Sequence, residues 1–375
     1  MFHLNPALFL LILILILTLS FLHRRIFLTY TVRRRTVADF RTATSFLQES
    51  DLESRAKANR HLRDAFGILN PFVNGEKDFH DKYVKCVRRQ LLNVTSNWSA
   101  LVDCAKSAAK QINDTNSVDR IRDEVRVIVM SIALKIIGVD GYSTDELLRV
   151  GELINLIWLQ AKSGGSTVLL RNELHAILRR WRHDEFIDAL IETSNVSKEC
   201  AILSILIPAY ETMYRVVLPL IFHSHNKVSF ERFLDTDVSI ATLNSTATST
   251  SVCEDTYTYL ALVQETLRRY PVVKRIKRAT SWETTAVDIA AVHLNAATWE
   301  APEDFRPMRW MISGKEGGYM PFGAGRGRCI ANERIVGLIV CIVLGVIEKP
   351  LRNFKTEDLN ALLSNDRGIQ NEILR

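Results

Sequence analysis

Apolar residues recur at intervals of three and four positions through much of the first 225 residues, with few glycines or prolines among them. This spacing places the apolar side chains on one face of a helix and predicts amphipathic helices. Breaks are expected at Asn70-Pro71, at residues 138–141 and at Gly164-Gly165, where turn-forming residues cluster. The predicted helices span residues 37–53, 78–92, 99–111, 118–137, 144–161 and 184–194.

Two later segments are apolar almost all round. Residues 200–222 form a long apolar run that contains Pro208 and Pro219, and residues 335–347 form a shorter one. A helix without a polar face belongs in the centre of a large helical domain. Strand-like segments are short, at residues 272–276 and 287–290, and the Ser/Thr-rich residues 235–256 predict a surface loop. The fold class expected from this pattern is mainly α with a minor β-sheet.

The N-terminus predicts a membrane anchor. Residues 7–22 carry no charge, no Lys or Arg precedes them, and Arg24 and Arg25 follow almost directly. A cleaved secretory signal has different flanks, a basic start and a small-residue cleavage site. Because positive charge collects on the cytosolic side of a membrane, we expect residues 1–30 to be a transmembrane anchor with a basic flank and residues 31–375 to form a cytosolic domain.

The net charge of +6 is concentrated near this anchor. Five arginines and no Lys, Asp or Glu lie within residues 1–35, so the rest of the chain is nearly neutral. This distribution argues against a face that binds nucleic acid. Six cysteines are scattered without a Cys-x-x-Cys pair, which gives no support to a zinc ribbon, a thioredoxin-type redox motif or a disulfide scaffold.

One cysteine is distinguished by its surroundings. Residues 320–333 read MPFGAGRGRCIANE and place Cys329 in a glycine-rich, arginine-flanked loop that leads into the apolar run at 335–347. A thiolate near a helix N-terminus and between guanidinium groups is expected to have a lowered pKa, as a metal ligand or a nucleophile requires. A buried structural cysteine in a turn is the alternative.

Four short motifs, taken together, resemble those of the cytochrome P450 family. The loop from Phe322 to Ala331 is similar to the family's haem-binding signature, Phe-x-x-Gly-x-Arg-x-Cys-x-Gly. The four motifs occur together and in the family's order over residues 200–345, which makes the resemblance specific. The resemblance implies a P450-like helical domain behind the anchor. The other three motifs, in the family's order, are Pro208-Ala-Tyr-Glu-Thr-Met213 on the distal helix, Glu265-x-x-Arg268, and Pro307, Arg309 and Trp310 of a Pro-x-Arg-Phe/Trp element.

The resemblance implies that haem b binds at the loop, with Cys329 as the axial ligand of its iron. Phe322 would shield the sulfur, and the glycines would let the flat cofactor approach closely. The family's loop arginine, which pairs with a haem propionate, falls on Gly327 here, so its neighbours are expected to reach the propionate instead. The implied cofactor-binding residues are Phe322, Gly323, Gly325, Arg326, Arg328 and Arg278, with Arg275 as an alternative to Arg278.

Two further groups of residues take roles by the same resemblance. Glu265, Arg268 and Arg309 would form a buried ion-pair triad with a structural role. Thr212 and Glu211 would form a catalytic proton relay, since a hydroxyl beside a titratable carboxylate in an apolar helix suits proton transfer. The alternative for this pair is a threonine that bonds back to its own helix, with Glu211 directed to solvent.

Several features differ from the family's pattern. Pro208 and Ala209 replace its usual pair of small residues, and Pro208 is expected to open the helix, because proline frees the carbonyl four residues earlier. Residues 23–60 contain no proline, so we expect the hinge and first β-sheet of membrane-bound members to be missing from this short chain. No early Trp-x-x-x-Arg is present, and the side chains considered as substitutes are Lys85, Arg88 and Arg89.

The leading expectation is a fungal-type, membrane-anchored haem-thiolate monooxygenase of the endoplasmic reticulum. It would insert one oxygen atom from dioxygen into a lipophilic molecule such as a terpenoid or polyketide. The chain has no dinucleotide or flavin fingerprint, so electrons from NADPH would come through a separate reductase, the expected partner. Two alternatives stay open: a truncated, inactive remnant that at most binds a partner, and a cysteine hydrolase with His293 as the nearest base.

Overall fold

The computed structural model describes residues 14–21, 33–95, 97–110, 118–224, 230–235, 254–312, 317–331 and 333–351. Within them the chain is mainly helical with a minor β part, which confirms the expected class. The strands are β1 (Arg33–Val37), β2 (Val139–Asp140), β3 (Arg182–His183), β4 (Arg275–Ala279) and β5 (Glu283–Asp288). The helices are α1 (residues 14–21), α2 (Phe40–Glu49), α3 (Leu52–Phe66), α4 (Lys77–Thr95), α5 (Trp98–Lys110), α6 (Val118–Ile136), α7 (Thr144–Lys162), α8 (Val168–Leu178), α9 (Glu185–Ser194), α10 (Lys198–Ser224), α11 (Glu254–Arg269), α12 (Ile289–His293), α13 (Arg309–Ile312) and α14 (Glu333–Leu351).

Helix α10 lies at the centre of the core. It packs against α6, α9, α11 and α14, and residues such as Leu203, Leu206 and Val217 are completely buried in these contacts. By length and hydropathy the segment Lys198–His223 could cross a membrane, but 61% of its apolar window is buried inside the fold. Its all-round apolar pattern therefore belongs to the central helix of the core, as expected from the sequence.

Pro208 does not open α10, contrary to expectation. The helix is continuous through this position, although proline leaves the Ser204 carbonyl without its usual helical donor. The Asn70 side-chain amide donates to that oxygen at 2.8 Å and the Tyr83 hydroxyl donates at 3.3 Å. Because a buried carbonyl must find a donor, the freed group fastens the preceding part of the chain to α10 instead of creating a gap.

The three-stranded sheet joins residues that are distant in the sequence. Its order is β1-β5-β4: β1 runs parallel to β5, with Val37 opposite Val287, and β4 runs antiparallel to β5, with Ile276 opposite Val287. Strand β1 occupies a stretch for which no strand was expected. Its sequence, RRRTV, has no alternation of polar and apolar residues, and only Val37 is buried, so its register depends on the partner strand.

The first predicted helix is in fact two helices preceded by a strand. Val37 ends β1, and Asp39 caps α2 by accepting the Thr42 N–H at 2.8 Å. Ser50 is extended, and Asp51 caps α3 in the same way. The apolar spacing continued across this break, and the two aspartates are the N-cap signals that mark it.

Most of α3 and the whole of α8 were not predicted. Helix α3 is strongly polar, and it packs against β4, α7 and α8, so tertiary contacts stabilise it where an apolar face is weak. Strands β4 and β5 overlap the predicted segments at 272–276 and 287–290 only at their ends. Element type was therefore more predictable than element boundaries.

Three expectations lie partly or wholly outside the described residues. Of the predicted anchor at 7–22, residues 14–21 are helical with exposed apolar side chains, Phe21 at 66%. Of the predicted loop at 235–256, residues 236–253 are not described, and α11 begins at Glu254. The domain boundary at residue 30 is not described either, and the arginines Arg33 to Arg35 belong to β1.

Candidate functional site

The cysteine loop is closed by a backbone hydrogen bond and packs against α2. The Cys329 N–H donates to the Phe322 carbonyl at 2.9 Å, and a short 3-10 turn spans Gly325–Gly327. Gly325 has a φ of +65°, and a side chain there would collide with the Leu47 carbonyl in the last turn of α2. Glycine is required at this position both by the left-handed backbone and by the close approach of α2.

The thiol of Cys329 is not activated in the expected way. Desolvation raises the pKa of this thiol, and the Ala331 N–H and the Arg328 charge oppose that effect only in part, although the side chain remains accessible to solvent. The expected lowering of the pKa is therefore wrong. Arg326 and Arg328 are exposed, where water screens their charges, and α14 begins one turn beyond the cysteine.

Glu265 lies at the centre of a buried ion-pair cluster. Arg268 donates to both of its carboxylate oxygens at 2.9 Å, and Arg309 Nε donates to Oε1 at 3.2 Å. The Arg306 N–H and the Trp310 indole add donors at 2.8 and 2.9 Å. Burial opposes ionisation of Glu265, but these donors outweigh it and hold the pKa of the carboxyl below its usual value. The structure thus brings together the three residues that the sequence placed in one triad.

His293 connects this cluster to the cysteine loop. Its ring is completely buried; Nδ1 lies 3.2 Å from the Arg268 carbonyl oxygen, and Nε2 accepts the Met320 N–H at 2.9 Å. A carbonyl can only accept and an amide N–H can only donate, so the ring is neutral with its proton on Nδ1. Arg268 also donates to the His293 carbonyl at 2.9 Å. Polar contacts therefore run without interruption from Glu265 to the start of the loop.

The same contacts exclude His293 as the general base of a cysteine hydrolase. Both ring nitrogens are engaged with backbone groups, and burial lowers the pKa of His293 to about 4. A buried imidazole of this kind holds its proton for the Arg268 carbonyl and cannot exchange it with Cys329. The hydrolase alternative therefore loses the one base that the sequence offered.

Two buried arginines approach the loop at Gly327. A Cβ atom built on Gly327 would lie 2.9 Å from Nη2 of Arg278 and 3.0 Å from Nη1 of Arg55. The side chains are 6% and 4% exposed, respectively. Arg278 comes from β4 and was expected near the cofactor, whereas Arg55 comes from α3 and was missed. No local signal marks Arg55, because its burial results from the packing of α3 against β4.

The other cationic candidates remain at the surface. Arg326 and Arg328 are exposed, and the exposed Arg275 is paired with Asp288 at 3.1 Å. These side chains are surrounded mainly by solvent, so the structure does not bring them to the buried arginine pair at Gly327. The residues considered on α4 are also exposed: Lys85, Arg88 and Arg89.

A histidine of α4 reaches the loop in place of those cations. His80 is buried, with Nε2 3.2 Å from the Arg326 carbonyl oxygen and Nδ1 3.0 Å from an oxygen of the Asp81 carboxylate. The contact ties α4 to the 3-10 turn before Cys329. Sequence reasoning missed His80, although its position near the start of a helix that follows a glycine was visible.

The predicted proton-relay pair is engaged with its own helix. Thr212 Oγ1 donates to the Pro208 carbonyl at 2.7 Å, and Glu211 accepts from Arg215 Nη2 at 2.9 Å. The threonine geometry corresponds to the alternative considered from the sequence. Glu211 differs from both interpretations, because it is largely buried in an ion pair and does not point to solvent.

A comparison with family models assigns part of the chain to a known family. The model described as Cytochrome P450 matches residues 256–333. This range contains the Glu265 cluster, His293 and the Cys329 loop, which are the parts that the hydrogen bonds described above connect.

Curated relatives match over limited parts of the chain. It is 27% identical over 177 residues to a steroid (22S)-hydroxylase of Oryza sativa subsp. indica, covering 40% of this chain and 35% of the relative. It is 34% identical over 98 residues to a piperic acid synthase of Piper nigrum, covering 20% of this chain and 19% of the relative. The matched region thus spans about a third or less of the length of these relatives.

Solved structures match over most of the chain. A zebra fish cytochrome P450 solved with progesterone has a TM-score of 0.59 at 14% identity, covering 85% of this chain and 86% of that one. A six-coordinated cytochrome P450 from Thermus thermophilus has a TM-score of 0.54 at 16% identity, covering 85% of each chain. At these identities the likeness shows the fold.

The fold implies a haem, and the residues at the loop fit one. Nε and Nη2 of Arg55 are buried without a hydrogen-bond partner among the described residues, and the lack of a side chain at Gly327 leaves room for the guanidinium groups of Arg55 and Arg278. Among the described residues, no three His, Cys, Asp or Glu side chains are arranged to hold a metal ion, so a metal at Cys329 would bring its other ligands with it. A macrocycle that carries its own iron and anionic groups satisfies both conditions.

Proposed function

We propose that the chain is a haem-thiolate monooxygenase of the cytochrome P450 family that inserts one oxygen atom of dioxygen into a lipophilic small molecule. The observation that carries the proposal is the anchoring of the Cys329 loop. The loop is tied through Met320 and His293 to the buried Glu265 cluster, which holds the one cysteine of a glycine-rich turn in a defined position. Positioning of this kind is what an axial ligand needs.

Haem b would supply the iron and the dioxygen chemistry, with Cys329 as its thiolate ligand. The chain's own part is to give up the Cys329 proton on metal binding, since a coordinated thiol is deprotonated even where burial disfavours the free thiolate. Phe322 is half-buried against the core and would shield the sulfur once the cofactor is bound. Gly323 and Gly325 would allow the loop backbone to turn beside the cofactor, and Arg278 would bind a cofactor carboxylate.

Thr212 and Glu211 are proposed to hold and pass protons on the distal side. Their present partners are the Pro208 carbonyl and Arg215, and the relay requires that water replace these partners. The hydroxyl would then donate a proton and recover another through Glu211, which takes that proton up from water. Arg215 would hold the Glu211 carboxylate in place on the helix.

A redox partner, a membrane location and a substrate class are also proposed. Electrons would come from NADPH through a separate flavoprotein reductase that docks at the loop face, where Arg326 and Arg328 are exposed. An anchor at residues 7–22 would hold the domain on the cytosolic side of the endoplasmic reticulum membrane. The lipophilic substrate would be a secondary metabolite such as a terpenoid or polyketide, which expression followed by metabolite profiling can identify.

A spectrum of the reduced, carbon monoxide-treated protein tests the haem-thiolate assignment. We expect the band of a thiolate-ligated haem in the wild type and in Cys86→Ser, a control at a half-buried cysteine on α4. Cys329→Ser should lose the band. Absence of the band from the wild type, or its persistence in Cys329→Ser, would contradict the proposal.

A second candidate is an inactive remnant that binds haem or a partner without turnover. The observation in its favour is that the side chains of Thr212 and Glu211 are engaged with their own helix. NADPH consumption in the presence of a reductase and a panel of lipophilic compounds discriminates between the two. A normal thiolate band with no substrate-dependent consumption would favour the remnant.

A further inference from the structure

The arginine pair at Gly327 carries positive charge that the described protein does not balance. Arg278 donates to the Ser50 hydroxyl and to the Lys277 carbonyl, both at 3.0 Å, and these acceptors are neutral. Arg55 lies over the Phe72 ring and forms no ion pair among the described residues, while its Nε and Nη2 have no acceptor. Two nearby guanidinium groups are thus buried with no carboxylate from the described part of the chain within ion-pair distance.

Such an arrangement is unfavourable unless an anion occupies it. Burial lowers the pKa of Arg55 to about 10, and the charge of Arg278 contributes in the same direction. Burial also lowers the pKa of Arg278, with Asp51 opposing the effect from a distance. Because buried charges persist in proteins when they are paired, the unbalanced pair indicates a ligand with negative groups.

We propose that Arg55 and Arg278 together bind the carboxylates of the cofactor, and that Arg55 supplies from α3 the guanidinium that the cysteine loop lacks at Gly327. The inference rests on the proposed function and goes beyond it, because it assigns a role to a residue on a helix that none of the four motifs includes. Two carboxylates and two guanidinium groups give a matched set of charge-assisted hydrogen bonds.

The space around Gly327 explains why the loop carries no side chain there. The first carbon of any side chain at this position would come within about 3 Å of both guanidinium groups. A loop arginine and the buried Arg55 are therefore alternative ways to place one positive charge beside the loop. Arg55 also lies on α3 and Arg278 on β4, two elements that pack together, so the pair is preformed.

Release of the cofactor tests the role of Arg55 in the holoprotein. Haem transfer to an excess of apomyoglobin is measured for the wild type, for Arg55→Gln and for Arg60→Gln, a control on the same helix whose side chain is 71% exposed. Arg55→Gln should release haem about ten- to hundredfold faster, the effect of losing hydrogen bonds between charged groups. The thiolate band should keep its position, and Arg60→Gln should match the wild type.

A chemically modified cofactor shows whether the carboxylates are the groups recognised. Haem dimethyl ester has no negative groups, so the wild type should release it at least about tenfold faster than haem. In Arg55→Gln this preference should shrink, because one of the two recognising groups is gone. An unchanged preference would overturn the proposal, since it would mean that Arg55 does not contact a carboxylate.

A guanidinium group placed at residue 327 should restore slow haem release when Arg55 is removed. Gly327→Arg in an Arg55→Ala background should restore slow release, because the space left by Arg55 can hold the new side chain. Gly327→Arg alone should not slow release, because the space is already occupied. Failure of the rescue in a double variant that folds and shows the thiolate band would contradict the exchange of positions.

The cofactor-free protein separates a ligand-binding role from a structural one. Arg55→Gln should raise the melting temperature of the haem-free protein, because it removes an unbalanced buried charge, and lower that of the holoprotein. A structural arginine would lower both. If the wild type binds no haem, the proposed function falls together with this inference; if haem binds with its thiolate band but Arg55→Gln releases it at the wild-type rate, this inference alone falls.

Discussion

Two buried arginine sites flank the cysteine loop, and they differ in how their charge is balanced. In the Glu265 cluster, Arg268 has a bidentate carboxylate and several backbone carbonyls as partners. In the pair at Gly327, Arg55 has two donors that find no acceptor among the residues that the structure describes. Since a buried polar group without a partner is unfavourable, the first site is complete as folded and the second requires a ligand. Charge balance thus distinguishes a stabilising cluster from a binding pocket.

Removing Arg268 from the Glu265 cluster should have the largest effect on stability. Arg268→Ala would leave Glu265 buried without its bidentate partner and would remove the donor to the Pro302 and Asp304 carbonyls. We expect the free energy of unfolding to fall by about 3–5 kcal/mol, measured by denaturant unfolding. Arg306→Ala, which breaks ion pairs with the exposed Glu300 and Asp304, should cost less than about 1 kcal/mol. Equal losses in the two variants would contradict the assignment.

The pH dependence of unfolding tests the link that His293 makes between the Glu265 cluster and the cysteine loop. The pKa of His293 is about 4 in the folded protein and about 6.5 in an unfolded chain, so protonation favours unfolding. The stabilisation is complete above pH 6.5 and is lost as the pH falls towards 4. Unfolding measured from pH 7 to pH 4 should show the wild type losing about 3 kcal/mol more than His293→Gln. Parallel curves would show that the ring does not titrate with folding.

A carboxylate added at residue 327 tests whether the arginine pair at Gly327 lacks a negatively charged partner. In Gly327→Asp the new carboxylate would lie beside Arg55 and Arg278, whose flexible ends can shift to accept it. We expect the haem-free protein to gain about 1–2 kcal/mol in free energy of unfolding, measured thermally, because the buried charges acquire a partner. Gly327→Asn has nearly the same shape without the charge and should show no gain. A gain of equal size in both would point to packing instead.

The distal threonine should show the smallest effect on stability. Thr212 donates to the Pro208 carbonyl at 2.7 Å, and Thr266 on α11 makes the same bond to the Leu262 carbonyl at 2.8 Å. Thr212→Val and Thr266→Val should each change the free energy of unfolding by less than about 1 kcal/mol. Substrate-dependent NADPH consumption should slow in Thr212→Val alone. The same slowing in Thr266→Val would assign the effect to helix packing.

Prediction from the sequence was most direct where the candidate residues lie close together in the chain. The loop around Cys329 and the pair Glu265 and Arg268 are short motifs, and the structure keeps each of them together. It failed where the outcome depended on partners elsewhere in the chain. The thiol pKa is raised, not lowered, because burial outweighs the flanking charges, and β1 forms because β5 pairs with it.

The amino-acid sequence by itself determined the helical class, the central apolar helix and the identity of the cysteine loop, because periodicity and motif spacing are local properties. Only the tertiary structure decided which arginines meet that loop. Arg55 and Gly327 are separated by most of the chain, and they become neighbours when α3 packs against β4. Burial then changes a common surface residue into an unbalanced charge, which is a property of the surrounding fold and not of the residue.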